Sequence, residues 1–174
     1  MHRADGMICG VSRWFRTYGF QEVYEDLTVG ALPADAADVA ALEFIGVQRV
    51  LNLVADDEYE VGARADVTRA YERAGIEEHR VSLVDFGHLP PDALELAVAM
   101  LNQWLDEGRM SYVHCRAGWQ RSAAVAAAGI AIRDGIDVDE AVELVRSRKP
   151  TADPLPHQRE DLRRWWQARQ RAGA

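Results

Sequence analysis

Along the chain, short unbroken apolar runs alternate with longer stretches in which apolar residues recur every three or four positions, which predicts an α/β domain. Residues 28–33 read as a brief strand closed by Pro33, and Val39 and Leu42 belong to a helix over 35–44 that Gly46 stops. Val50, Leu51, Leu53 and Val54 mark a buried strand over 48–54, broken by Asp56-Asp57-Glu58. A weaker helix over 63–74 ends at Gly75, and a strand over 76–84 follows. Leu94, Ala97, Val98, Leu101, Trp104 and Leu105 form a helical stripe entered through Pro90-Pro91-Asp92 and left at Gly108. After a short strand over 110–114, residues 121–133 are so apolar that their helix must be buried on most sides. Helices over 138–148 and from 157 to about 170 complete the pattern. The expectation is one α/β domain with a mainly parallel sheet of four or five strands flanked by helices. Residues 1–24 are expected to form an extension packing on a domain of residues 25–174.

Composition agrees with an ordinary globular protein: 174 residues, 48% apolar and 28% charged. The formal charge, 20 − 28 = −8, repels polyanions. No nucleic-acid partner is therefore expected, and an anionic ligand has to be captured locally. Lys149 is the only lysine, so such capture falls to arginine forks. Cys9 and Cys115 stand far apart without CxxC spacing, which suggests a reducing, cytoplasmic setting and no structural zinc. Cys9 reads as an inert small hydrophobe. The longest apolar run, Ala123 to Ile132, is too short to span a bilayer, so no stable membrane insertion is expected. The arginines at 159, 163, 164, 169 and 171, with Trp165 and Trp166, read as a solvated helix face above an apolar stripe.

One segment departs from this background: His114-Cys115-Arg116-Ala117-Gly118-Trp119-Gln120-Arg121-Ser122, set between a buried strand and a buried helix. A strand that turns straight into a helix leaves the helix's first N–H groups unpaired and facing the turn, a cradle for an anion. Five residues separate Cys115 from Arg121, enough for the loop to curl around a tetrahedral dianion. Gly118 permits close backbone approach, and the Arg121 guanidinium can grip two phosphoryl oxygens at once. The same field favours a thiolate, and hence a nucleophile, at Cys115.

With His-Cys, five residues and Arg-Ser, the chain resembles the cysteine-based protein tyrosine phosphatases, and in particular their compact dual-specificity branch. Residues 27–33, 46–53 and the Arg148-Lys149-Pro150 turn extend the likeness over roughly residues 25 to 168. The resemblance implies Cys115 as nucleophile, Arg121 as phosphate and transition-state ligand, Ser122 as a hydroxyl assisting thiolate departure, and His114 as a buttress of the loop. The phosphate would sit among His114, Arg116, Ala117, Gly118, Trp119 and Gln120. A leaving oxygen needs a proton as its P–O bond breaks, and Asp85, before Phe86-Gly87-His88, stands where the family carries its acid. Bland alternatives stay open: Ser122 as a helix-start residue, His114 as a core histidine, Asp92 as the acid or a cap, and His88 as a solvated loop residue. Asn52 and Asp153 read as structural.

Trp119-Gln120 departs from the family's usual small or basic residues; the tryptophan could stack on a flat substrate or pack on a neighbouring loop. The implied activity is metal- and cofactor-independent phosphomonoester hydrolysis through a phosphocysteine, acting on a phosphorylated protein, a small phosphomonoester or a phospholipid, with the protein as a monomer. Residues 30–33 and 57–60 are similar to phosphatidylglycerophosphate phosphatases of this branch, so a lipid phosphate is the alternative substrate. A catalytically weak phosphate-binding module and a rhodanese-like sulfur transferase are the competing classes.

Overall fold

The computed structural model of the chain describes residues 10–173. Its strands are β1 (Phe20–Tyr24), β2 (Leu27–Gly30), β3 (Arg49–Asn52), β4 (Glu77–Arg80) and β5 (Ser111–His114). Its helices are α1 (Arg13–Tyr18), α2 (Ala36–Phe44), α3 (Ala63–Ala74), α4 (Pro91–Asp106), α5 (Arg121–Asp134), α6 (Val138–Arg148) and α7 (Pro156–Gly173). The strands lie in the order β1-β2-β5-β3-β4, with only the β1–β2 pair antiparallel.

Strand β5 is buried at every residue because it lies centrally with helices on both faces. In register, His114 sits opposite both Gly30 and Asn52, so β2, β3 and β5 finish side by side. The chain leaving β5 therefore emerges at the carboxyl edge of a parallel sheet, between two neighbours, where α/β folds place their ligands. Val39, Leu42, Val50, Val67, Tyr71 and Tyr112 form the core on the α2–α3 face. On the other face α4, α6 and α7 surround α5, whose residues 121–131 are all buried. The small side chains of Ala123, Ala124, Ala126, Ala127 and Ala128 allow this crowding.

Two elements escaped the sequence reading. Residues 20–24 are the edge strand of the sheet, although Val23 alone is buried there, too sparse a pattern to announce a strand. The six-residue α1 is short for a periodic signal. It is tied to α2 by the buried Asp38, which accepts from Ser12 N (2.7 Å), Ser12 Oγ (2.7 Å) and Ala34 N (2.8 Å). Residues 1–9 of the expected extension, Cys9 among them, lie outside the described residues.

The strand expected over 76–84 is regular only through 77–80. Beyond it, Val81 N and Leu83 N still donate to Asn52 O and Leu53 O, keeping the segment beside β3 as it bends towards the end of β5. On α7, Trp165 and Trp166 are buried, and Arg159, Arg163, Arg164 and Arg169 each pair with a carboxylate. That face is charge-compensated, as a solvated face would be. Among the described residues no helix is long and apolar enough to cross a membrane.

Candidate active site

The segment from Cys115 to Gln120 leaves β5 and turns directly into α5. Its hydrogen bonds run through its carbonyls: Arg116 O accepts from Leu32 N (3.0 Å) and Trp14 Nε1 (3.3 Å), and Gln120 O accepts from Ala124 N (3.0 Å). Among the described residues, the N–H groups of Arg116 through Gln120 have no protein acceptor. Unpaired amides of one loop, set before a helix, make the local positive field the sequence implied. Gly118 has φ 71°, and a Cβ on it would lie 2.5 Å from the carbonyl carbon of Gly30. Only glycine fits there.

Cys115 is 1% exposed, with Sγ 3.3 Å from Ser122 Oγ. His114 is fully buried and placed behind the loop, its Nδ1 3.3 Å from Cys115 O. Its ring meets backbone and does not line the cleft, so the structure does not give it the direct contact with substrate expected above. Burial pushes its imidazole down to about 3, so it stays neutral.

Arg121 has no exposed surface. Its Nη1 donates to Glu58 Oε1 (2.7 Å) and Leu83 O (2.9 Å), and its Nη2 to Glu58 Oε2 (2.7 Å). Asp85 Oδ1 lies 2.9 Å from the same Nη2, while Nε has no partner among the described residues. Burial opposes the charge on Arg121, but Glu58, Cys115 and Asp85 outweigh it and raise its pKa. Burial likewise opposes charge on Glu58, yet Arg121 and the Ala55 N–H hold its carboxyl below the ordinary value. Glu58 was legible in the sequence only as a strand-breaking acid. Its signal is an acidic run directly after a buried strand, in a chain whose motif arginine needs a counter-ion.

A cleft of about 420 Å³ opens over Cys115, lined by Asp85, Phe86, Arg116, Ala117, Trp119 and Gln120 from the two loops and by Trp14 and Tyr18 from α1. Trp119 is half-exposed and meets Tyr18 edge-on at 5.3 Å, which resolves its two sequence-level readings towards a neighbouring aromatic. The Arg116 guanidinium lies 5.5 Å over the Trp14 ring. The structure thus gathers Cys115, Arg121, Ser122, Asp85, Arg116, Ala117, Trp119 and Gln120 at one place. It adds Trp14 and Tyr18, which the sequence left in a featureless extension. Asp92 starts α4 and is exposed, outside the cleft. His88, read as a solvated residue, is exposed but donates from Nδ1 to Asp161 Oδ2 at 2.9 Å.

Residues 33–168 match the family model of the dual specificity phosphatase catalytic domain. The chain belongs to that family. It is 29% identical over 110 residues to the human phosphatidylglycerophosphatase and protein-tyrosine phosphatase 1, covering 63% of this chain and 54% of that protein. It is 31% identical over 149 residues to the Arabidopsis thaliana phosphatidylglycerophosphate phosphatase PTPMT2, covering 84% and 60%. The chain thus spans little more than half the length of these relatives. The crystal structure of PTPMT1 in complex with PI(5)P shares its fold at TM-score 0.77 and 23% identity, over 89% of this chain and 99% of that one. Human DUSP28 aligns at TM-score 0.70 and 25% identity, over 87% and 99%. As a dual-specificity phosphatase domain, it is of the cysteine-dependent phosphatase type.

Proposed function

We propose that the protein hydrolyses phosphomonoesters through a phosphocysteine intermediate. Cys115 Sγ attacks phosphorus in line with the departing oxygen; the S–P bond forms as the P–O bond breaks, and Asp85 gives its proton to the leaving oxygen. In the second step the Asp85 carboxylate takes a proton from water, whose oxygen displaces the sulfur, releasing inorganic phosphate. The Ser122 hydroxyl, 3.3 Å from Sγ, stabilises the departing thiolate. Charge on the equatorial oxygens is met by the free loop amides and by Arg121, whose unpartnered Nε is available to it. These groups supply the charge stabilisation, so the step requires no metal. The observation that carries the reading is a cleft lined by both Cys115 and Asp85, with the buried Arg121 guanidinium 2.9 Å from the Asp85 carboxylate.

The favoured substrate is a phosphorylated protein. A cleft of about 420 Å³ walled by Trp14, Tyr18 and Trp119 suits the ring of a phosphotyrosine while remaining open enough for shorter phosphoresidues. A lipid phosphate is the second reading, favoured by the names of the relatives and by the exposed apolar side chains of Phe86 and Trp119 at the rim. Hydrolysis of an aryl phosphate in the presence of EDTA tests the chemistry. Turnover lost in Cys115→Ser supports it, and a phosphatase whose acidic-to-neutral profile is unchanged by Asp85→Asn contradicts the acid assignment. Thiosulfate-dependent sulfur transfer would point to rhodanese chemistry. Comparing phosphotyrosine peptide, phosphoserine peptide and phosphatidylglycerophosphate decides the substrate class.

A further inference from the structure

The acid loop, residues 84–89, is held by contacts that the reaction itself does not require. Gln158, in the first turn of α7, is fully buried, and a buried carboxamide is costly unless every polar atom is satisfied. Its Oε1 accepts from Leu155 N at 3.1 Å. Its Nε2 donates to Gly87 O at 2.9 Å and to Gln120 Oε1 at 3.0 Å. Gln120 Nε2 in turn donates to Asp85 Oδ1 at 3.4 Å. Two amide side chains therefore link α7, the acid loop and the loop that carries Cys115 and Arg121.

The loop has reason to need such a hold. Phe86 is a non-glycine residue at φ 56°, a left-handed conformation that an L-residue with a side chain disfavours. Gly87 turns so tightly that a Cβ there would lie 2.8 Å from Val84 Cβ. Beside Gln158, His157 donates from Nε2 towards Phe86 O (3.1 Å) and Gly87 O (3.2 Å), and Asp161 accepts from Leu89 N (2.9 Å). The start of α7 thus grips the backbone that follows Phe86, from its carbonyl to the Leu89 N–H.

Resting on the phosphatase reading above, we propose that Gln158 and Gln120 are positioning residues that fix the Asp85 carboxyl over the reacting oxygen. Arg121 Nη2, at 2.9 Å, draws the same Oδ1. The longer Gln120 bond gives that carboxyl a second point of attachment on the nucleophile loop, and Gln158 locks both Gln120 and the Gly87 peptide. Without the amide pair, Asp85 keeps its guanidinium contact but loses its register with the leaving group.

Proton donation matters in proportion to how poor the leaving group is, and this separates a positioning role from a merely structural one. Gln158→Leu and Gln120→Met are compared with wild type on phenyl phosphate, a poor leaving group, and on difluoromethylumbelliferyl phosphate, a good one. The readout is the ratio of the two kcat/KM values. In each variant this ratio is expected to shift against phenyl phosphate by about tenfold or more, a part of the general-acid contribution. The shift should be absent when the same change is made in an Asp85→Asn background. An equal fractional loss on both esters, or no change in the ratio, overturns the positioning role while leaving the phosphatase reading intact. A wild type inactive on both esters removes that reading and this inference with it. Gln120→Met keeps the α7 contacts with Gly87, so the test stands even where Gln158→Leu does not fold.

Discussion

Replacing Glu58 with glutamine changes one oxygen for an amide and leaves shape almost untouched, so its consequences are electrostatic. In the wild type both Glu58 oxygens lie 2.7 Å from Nη atoms of Arg121, a parallel two-point pair around a guanidinium with no exposed surface. The variant keeps one acceptor, but its amide NH2 confronts the other Nη, donor against donor. Breaking one side of a buried ion pair costs about 3–5 kcal/mol. Asp85 remains as a second anion and the Glu58 side chain is 12% exposed, so the lower end applies, about 3 kcal/mol. For a domain of this size that is a fall of roughly 6–12 °C in Tm. The effect must also depend on pH with a defined sign. Glu58 is held below its reference value of 4.5, so its contribution is complete above that pH and is lost as pH falls through the lower folded value. Thermal unfolding of both proteins from pH 7 to pH 3 should therefore show a gap that closes in acid. Inhibition by vanadate should weaken about tenfold, the worth of one charge-assisted hydrogen bond. An unchanged Tm at pH 7, or a gap that persists undiminished to pH 3, would refute the argument that this carboxylate holds the buried guanidinium of Arg121.

Gly118→Ala forces a Cβ to within 2.5 Å of Gly30 backbone at a left-handed φ; Tm should fall by several degrees and vanadate protection of Cys115 against alkylation should disappear. Retention of both would show that the loop tolerates a side chain there. The imidazole of His114 is held near 3, against a reference value of 6.5. Folding is therefore favoured fully above pH 6.5 and progressively less as pH falls towards 3, a loss of about 2 kcal/mol by pH 5. Urea unfolding should show that slope in wild type and a shallower one in His114→Gln; parallel slopes would contradict it. Asp38→Ala strands Ser12 N and Ala34 N, at about 1–3 kcal/mol for each buried group left unpaired. Because α1 carries Trp14 and Tyr18 but not Cys115, KM for an aryl phosphate should rise while kcat holds; a fall in kcat alone would mean that α1 does not form the substrate wall.

How much of this was legible depended on the range over which each signal acts. The strand–loop–helix around Cys115 was readable because its apolar strand, its glycine and its apolar helix are contiguous, and their local geometry dictates the anion cradle. The stripe from Leu94 to Leu105 was readable for the same reason, being buried along its full length in α4. Strand β1 was not, since an edge strand with one buried side chain has no period to detect. Glu58 stands 63 positions before Arg121 and Trp14 stands 102 before Arg116. Nothing local distinguishes that glutamate from its acidic neighbours or that tryptophan from any aromatic of an extension.

These long-range partners are not accessories added to a finished motif. A guanidinium with no exposed surface is prohibitively desolvated unless fixed acceptors surround it, and the loop after β5 offers Arg121 none of its own. Its acceptors are the Leu53 and Leu83 carbonyls and the Glu58 and Asp85 carboxylates, all carried by segments that leave β3 or follow β4. The order β2-β5-β3-β4 sets those segments beside the emerging loop. Arg121 can therefore be buried only where the sheet has already paired in that order, and the arginine of the motif is also a reporter of correct topology. A variant that disturbs the β3–β5 register should then lose phosphate affinity before it loses helix content, because the helices bury their own apolar faces while Arg121 depends on four groups converging from across the sheet.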